Sequence, residues 1–145
     1  MLPWADLYLL GSGVSGFLDI TLRTQAALKR CRPVFHLHDM PSLDRYLDEI
    51  APGAVNLLPR YYRDGRRRID IYRDVSEHVV EAVGGEAPVG FLVHGHPMFF
   101  SLITRLILER TGRRGLQARV ARGELSGRSV RRPATGRRRT GVADV

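Results

Sequence analysis

Cysteine is nearly missing from this chain: its 145 residues include one, Cys31. A single cysteine excludes an internal disulfide framework and makes a reducing cytoplasm the simplest home. Long hydrophobic runs are also lacking. Met1–Trp4 has no charged leader, and Leu7–Leu10 is too short for a signal-peptide core. No apolar run approaches membrane-spanning length. Acidic residues are in deficit, 15 against 23 Lys and Arg, for a formal net charge of +8. Most of that imbalance is local. Residues 121–145 hold seven Arg against one Glu and one Asp, a net of +5, and the other 120 residues carry only +3. The isoelectric point near 10.7 thus belongs largely to the C-terminal stretch and does not describe a basic nucleic-acid face on the rest. Aromatic residues stop at Phe100, so that stretch has nothing to stack on bases.

What is present fits one globular domain with a real core, at 43% hydrophobic residues. Leu7–Leu10 reads as a strand buried on both faces. Thr21–Arg30 reads as a helix with Leu22, Ala26 and Lys29 marking its spacing and Asp19 or Thr21 as N-cap. Pro33–His38 is a second strand. Ser42 is placed to cap a helix over Leu43–Ile50, whose Leu43, Tyr46, Leu47 and Ile50 share a face. Val55–Leu58 is a third strand, followed by a loop from Pro59 to Arg68 and a helix from Ile69 to Val83 stopped by Gly84-Gly85. Val89–Val93 is a fourth strand, Met98–Thr111 a helix ended by Gly112, and Gly115–Val120 a fifth strand. Regular alternation of strand and helix predicts an α/β fold: a parallel sheet flanked by helices. In such sheets ligands lie beyond the carboxyl ends of the strands. Three motifs follow strands and are therefore expected at one edge: the glycine loop, the His36-Leu-His38-Asp39 turn and the His94-Gly-His96-Pro97 loop.

Gly11-Ser-Gly13-Val-Ser-Gly16 brings bare backbone N–H groups to one point, which suits the polar end of a nucleotide-like cofactor. With Asp39 ending the second strand, it matches the dinucleotide fingerprint of an NAD(P)-dependent oxidoreductase. Against this, helical spacing resumes only near Thr21, late for a helix that should cap a pyrophosphate. The pairs His36/His38 and His94/His96 have the spacing to share a strand face, but no carboxylate or cysteine cluster completes a coordination set, and no metal is expected. Tyr61-Tyr62, Arg68 and Tyr72 supply a guanidinium and phenols. Arg68 and Tyr72, four apart, share a face of a helix starting there. Such a group is suited to orienting an acceptor and polarising an amide oxygen. Cys31 lies between Arg30 and Arg32, which predicts a lowered thiol pKa without a catalytic role.

Taken together, GSGVSGFLDITLRTQAAL, YYRDGRRRIDIY and HGHP resemble the S-adenosylmethionine-dependent tetrapyrrole (corrin/porphyrin) methylase superfamily. They are most similar to its borosin-type peptide backbone α-N-methyltransferases. The resemblance covers residues 6–120. It implies an N-terminal tetrapyrrole-methylase-like α/β domain over 1–120 and S-adenosylmethionine as cofactor. The acceptor it implies is a peptide backbone amide, as in a precursor peptide, or a tetrapyrrole-like molecule. It implies a catalytic cluster of Tyr62, Arg68 and Tyr72, and cofactor contacts from Gly11, Gly13, His94, His96 and Phe99. Two positions depart from the pattern: His94 and Pro59 stand where active-site tyrosines are expected, which leaves the acceptor open.

In this family the fifth strand leads through a Pro-Gly-x-Ser-Ser turn to a second α/β domain, with the cofactor in the cleft between. Here Val120 leads into ARGELSGRSVRRPATGRRRTGVADV. That stretch has no apolar periodicity, and residues 121–145 read as a disordered, basic low-complexity tail. Permitted codons allow a one-nucleotide shift after Val120 to restore the missing turn, so the expectation is a frameshifted tail on a truncated half-enzyme with little or no activity. An exposed sheet edge and an exposed face of Phe91–Phe100 are expected to favour a homodimer. A non-catalytic module with a nucleic-acid-binding tail is the remaining alternative.

Overall fold

The computed structural model describes residues 3–13, 16–94, 101–121 and 142–144. Its elements follow the predicted alternation from the first strand to the fifth, with two departures: a short helix, Leu58–Tyr61, enters the expected 59–68 loop, and a sixth strand, Val142–Asp144, lies in the expected disordered tail. They are β1 (Leu7–Gly11), α1 (Leu22–Arg30), β2 (Val34–His36), α2 (Pro41–Ile50), β3 (Val55–Asn56), α3 (Leu58–Tyr61), α4 (Arg68–Glu81), β4 (Val89–Val93), α5 (Leu102–Arg113), β5 (Ala118–Ala121) and β6 (Val142–Asp144). The strands form one sheet in the order β3-β2-β4-β1-β5-β6, and every pairing is parallel.

Alternation along the central strands sorts the core into two layers. Leu7 and Leu9 of β1 and Val89, Phe91 and Val93 of β4 face Ile71, Val75, Val79, Ile103 and Ile107 of α4 and α5. Tyr8 and Leu10 of β1 and Leu92 of β4 face Ala27, Leu28, Leu43 and Leu47 of α1 and α2. Both faces of the sheet are therefore covered, which is why β1 and β4 read as unbroken apolar runs. Phe91, Leu92 and Val93 are buried within the sheet. The exposed face expected for Phe91–Phe100 is thus absent over these three residues, and positions 95–100 lie outside the described residues.

Helix ends follow local chemistry. Thr21 caps α1, its hydroxyl accepting from Thr24 N at 3.1 Å. The buried stripe of α1 is Thr24, Ala27 and Leu28, whereas Leu22 is 83% exposed. The spacing Leu22–Ala26–Lys29 therefore marks the solvent side, because the sheet lies against the opposite face. Ser42 does not cap α2. Pro41 sits at the first helical position, where its fixed φ starts the turn, and Met40 O accepts from Leu43 N and Asp44 N at 3.0 and 3.1 Å. α5 is capped by Ser101 and runs through Gly112 to Arg113. The reversal falls at Gly115, whose φ of +68° favours glycine.

Two strands are shorter than their sequence suggests. β2 stops at His36; two residues on, the backbone N–H turns to a side chain instead of a strand, as His38 N donates to His36 Nδ1 at 3.2 Å. β3 stops at Asn56, whose Oδ1 accepts from Leu58 N at 3.0 Å and starts α3. In the stretch 121–145, Ala121 closes β5, and Val142–Asp144 pair with Ala118–Val120 as a sixth strand. Residues 122–141 lie outside the described set.

Candidate functional site

Because β1, β4 and β2 are adjacent and parallel, their carboxyl ends emerge together. Gly11 stands opposite Val93, and Leu92 opposite both Leu10 and His36. The next residues, Ser12, His38 and His94, consequently share one edge. Ser12 N donates to Val93 O at 2.8 Å, which continues the ladder one step past β1. Ser12 Oγ lies 3.2 Å from His38 Nε2. The His38 ring is centred 5.7 Å from that of His36 and 6.3 Å from that of His94.

These histidines differ in character. His38 is buried, and desolvation, with the neighbouring His36 and His94 rings, pushes its pKa down to about 4. His36 is also buried and its pKa is lowered by desolvation, against the pull of Asp44, whose Oδ1 is 3.7 Å from His36 Nε2. His94 is exposed. The rings of His36 and His38 thus turn to different partners, and among the described residues no group of three His, Cys, Asp or Glu is disposed to hold a metal ion.

Gly13 must be glycine for two reasons. Its φ is +76°, and a Cβ there would lie 2.1 Å from Asp19 Cβ. Gly11 ends β1 at the same edge. Asp39, the acid of the dinucleotide reading, is exposed. His96 and Phe99 lie outside the described residues.

The two tyrosines of the pair Tyr61-Tyr62 have different surroundings. Tyr61 OH lies 2.6 Å from His78 Nδ1 on α4, and His78 in turn packs edge-on against Phe35 at 5.2 Å. The Arg60 guanidinium covers the Tyr61 ring at 5.5 Å. Tyr62 instead interacts electrostatically with Tyr72 and Arg68. The three residues expected to act together are therefore neighbours. Partial burial first, then the neighbouring Tyr72 phenol, raise the Tyr62 pKa to about 12 in spite of Arg68. With its pKa raised, the Tyr62 phenol stays protonated near neutral pH and is not a base there. Tyr62, Arg68 and Ile71, with Arg63, Asp64, Gly65 and Arg66, line an open cavity of about 360 Å³. Arg66 is held by Asp74 at 2.5 Å and Arg67 by Asp70 at 2.8 Å. Among the described residues Arg68 forms no ion pair, which leaves its charge to the cavity.

Asn56, which carries no motif in the sequence, joins the two parts. Its Nδ2 donates to His38 O at 2.9 Å while its Oδ1 starts α3. An Asn directly after a short apolar strand and before Leu-Leu-Pro is the sequence signal for such a turn. The His36/His38 spacing places both rings on one face only while the strand continues; the chain leaves the sheet at His36, so the two rings face different neighbours. Cys31 also departs from expectation. It is buried against Gly90, where a Cβ would lie 3.0 Å from Cys31 Cβ. Burial drives its thiol pKa up to about 12, with Arg30 opposing weakly. Arg30 and Arg32 do not make it reactive.

Similarity to other proteins agrees with this arrangement. The chain is 26% identical over 118 residues to the methyltransferase/type I borosin cyclic peptide precursor of Mycena rosella, covering 81% of this chain and 30% of that protein. It is 27% identical over 118 residues to the type II borosin precursor methyltransferase of Phlebiopsis gigantea, covering 81% and 21%. The chain therefore spans less than a third of the length of these relatives. In fold it is similar to uroporphyrin-III-C-methyltransferase from Thermus thermophilus, with TM-score 0.56 and 21% identity over 80% of this chain and 46% of the other. It is also similar to diphthine synthase, with TM-score 0.58 and 19% identity over 79% and 42%. Nothing in these likenesses favours a nicotinamide-dependent or nucleic-acid-binding reading. The family model of tetrapyrrole (corrin/porphyrin) methylases matches residues 6–123, which contain the glycine loop, the tyrosine–arginine cluster and all of β1 to β5; this chain belongs to that family.

Proposed function

We propose that this chain is part of a methyltransferase that uses S-adenosylmethionine to methylate a peptide backbone amide. Residues 1–120 supply its N-terminal domain. The observation that carries the reading is the juxtaposition of Tyr62, Tyr72 and Arg68, which has no ion-pair partner among the described residues, beside an open cavity. Relatives named as methyltransferases joined to cyclic-peptide precursors support a peptide as acceptor.

The residues present fit such a cofactor. Gly11 and Gly13 keep the loop after β1 free of side chains, and a buried imidazole nitrogen beside it, His38 Nδ1, has no partner among the described residues. His94, exposed at the end of β4, stands on the same edge, and His96 and Phe99, outside the described residues, are proposed further contacts. When bound, S-adenosylmethionine supplies an electrophilic methyl group on sulfonium.

The chain's own residues prepare the acceptor. A neutral phenol at Tyr62 and the Arg68 guanidinium are donors that hydrogen-bond an amide oxygen. Withdrawing electron density from the carbonyl acidifies the adjacent N–H, which is the obstacle to alkylating an amide nitrogen. Tyr72 stands beside that phenol, whose single O–H is left for the amide oxygen. Holding the peptide against this cluster orients its amide for transfer.

Incubating the chain with S-adenosylmethionine and a candidate precursor peptide, then sequencing the peptide by mass spectrometry, tests the reading. Methyl groups on backbone nitrogens support it. Binding of NAD(P), abolished by Asp39→Ala, with no binding of S-adenosylhomocysteine, overturns it.

A further inference from the structure

His38 is 7% exposed, yet its Nδ1 has no hydrogen-bond partner among the described residues. Buried polar atoms are normally paired, so an orphan beside a loop of bare backbone indicates a place kept for a ligand. The state of that nitrogen follows from its neighbours.

The Ser12 hydroxyl carries one proton and has two acceptors within reach: Gly13 O at 3.3 Å and His38 Nε2 at 3.2 Å. Both contacts exist together only if Ser12 donates to the Gly13 carbonyl and Nε2–H donates to Ser12 Oγ. His38 is neutral, because desolvation and the flanking His36 and His94 rings oppose its protonation. A neutral imidazole with its proton on Nε2 presents a bare lone pair at Nδ1. That lone pair repels a carboxylate or phosphate oxygen and attracts an O–H or N–H.

We propose that Ser12 and His38 are a ligand-binding pair: Ser12 fixes the Nε2–H tautomer, and His38 Nδ1 accepts a hydrogen bond from a hydroxyl or ammonium of a nucleoside-type cofactor seated on the glycine loop. The inference rests on the methyltransferase reading and adds to it a positioning residue absent from the sequence-derived set. Two groups of such a cofactor have the required chemistry, a ribose hydroxyl and the α-ammonium of its amino-acid arm.

Calorimetry on the 145-residue chain with two probes, S-adenosylhomocysteine and 5′-methylthioadenosine, tests the pair. His38→Gln keeps a donor toward Ser12 and lacks the Nδ1 acceptor; His38→Asn places an acceptor near Nδ1. The expected result is about tenfold weaker S-adenosylhomocysteine binding for His38→Gln and a much smaller loss for His38→Asn. An equal loss for 5′-methylthioadenosine assigns the donor to the ribose; a loss confined to S-adenosylhomocysteine assigns it to the ammonium. Unchanged binding by His38→Gln overturns the pair and leaves the cofactor reading standing. If the unaltered chain binds neither probe, the cofactor reading fails and the inference with it. Nitrogen-15 NMR of histidine in the unliganded, unaltered chain is independent of both. An Nε2–H tautomer at His38 is expected, and an Nδ1–H tautomer overturns the pair.

Discussion

Asn56 Nδ2 donates to the backbone carbonyl of His38 at 2.9 Å, across the turn that ends β2. The same side chain starts α3 through Leu58 N. With the Ser12–His38 contact added, a continuous line of hydrogen bonds runs from the glycine loop to the helix that precedes Tyr62. The two parts of the candidate site are thus joined through Ser12, His38 and Asn56.

Asn56→Ala removes both hydrogen bonds of that link. A stability loss of about 1–2 kcal/mol is expected, read from urea unfolding. Loss of α3 register should also shift the Tyr62 and Tyr72 resonances in an NMR spectrum. Unchanged spectra would show that Asn56 does not position the cluster.

The two adjacent tyrosines should separate cleanly on removal of a hydroxyl. Tyr61→Phe breaks the 2.6 Å contact to His78 and should cost about 1 kcal/mol of stability. Tyr62→Phe affects a residue that is 39% exposed, so stability should change little while peptide methylation falls by about 10-fold or more. The opposite pattern, with Tyr61 critical for turnover and Tyr62 for folding, would reverse the assignment.

Acid should destabilise the fold through its histidines. His38 has a folded pKa near 4, below the unfolded value of about 6.5. Between these values the unfolded chain binds the extra proton, so stability is fully present above about pH 6.5 and declines as pH falls toward 4. The shift corresponds to at most about 3 kcal/mol. His36 and His78, also lowered by burial, act in the same direction. Denaturant midpoints across this window should fall, and His38→Gln should flatten the decline.

Gly90 is the point where β4 passes Cys31. Gly90→Ala places a methyl 3.0 Å from Cys31 Cβ and 3.1 Å from Sγ, at an expected cost of about 1–3 kcal/mol from overpacking. For the same reason Cys31 in the native chain should resist a thiol reagent at neutral pH and react only on unfolding. Rapid labelling of the folded chain would contradict the buried, raised-pKa thiol.

By itself, the sequence determined the layered architecture. Continuous apolar strands such as Val89–Val93 alternate with helices whose apolar residues recur at three and four, and a buried parallel sheet is the arrangement that satisfies both periods. It also determined that the glycine loop and the tyrosine–arginine segment are landmarks, since their spacing survives any choice of helix ends. Tertiary structure decided which residues meet. Leu22 fits the helical pattern yet faces solvent, because only the sheet's position selects the buried stripe of α1. Cys31 sits between two arginines in sequence, but its thiol answers to the low dielectric beside Gly90. His38 and Ser12 are 26 residues apart, and the order β2-β4-β1 brings them together. Local sequence sets periodicity and turns; strand order and burial set the proton on an imidazole.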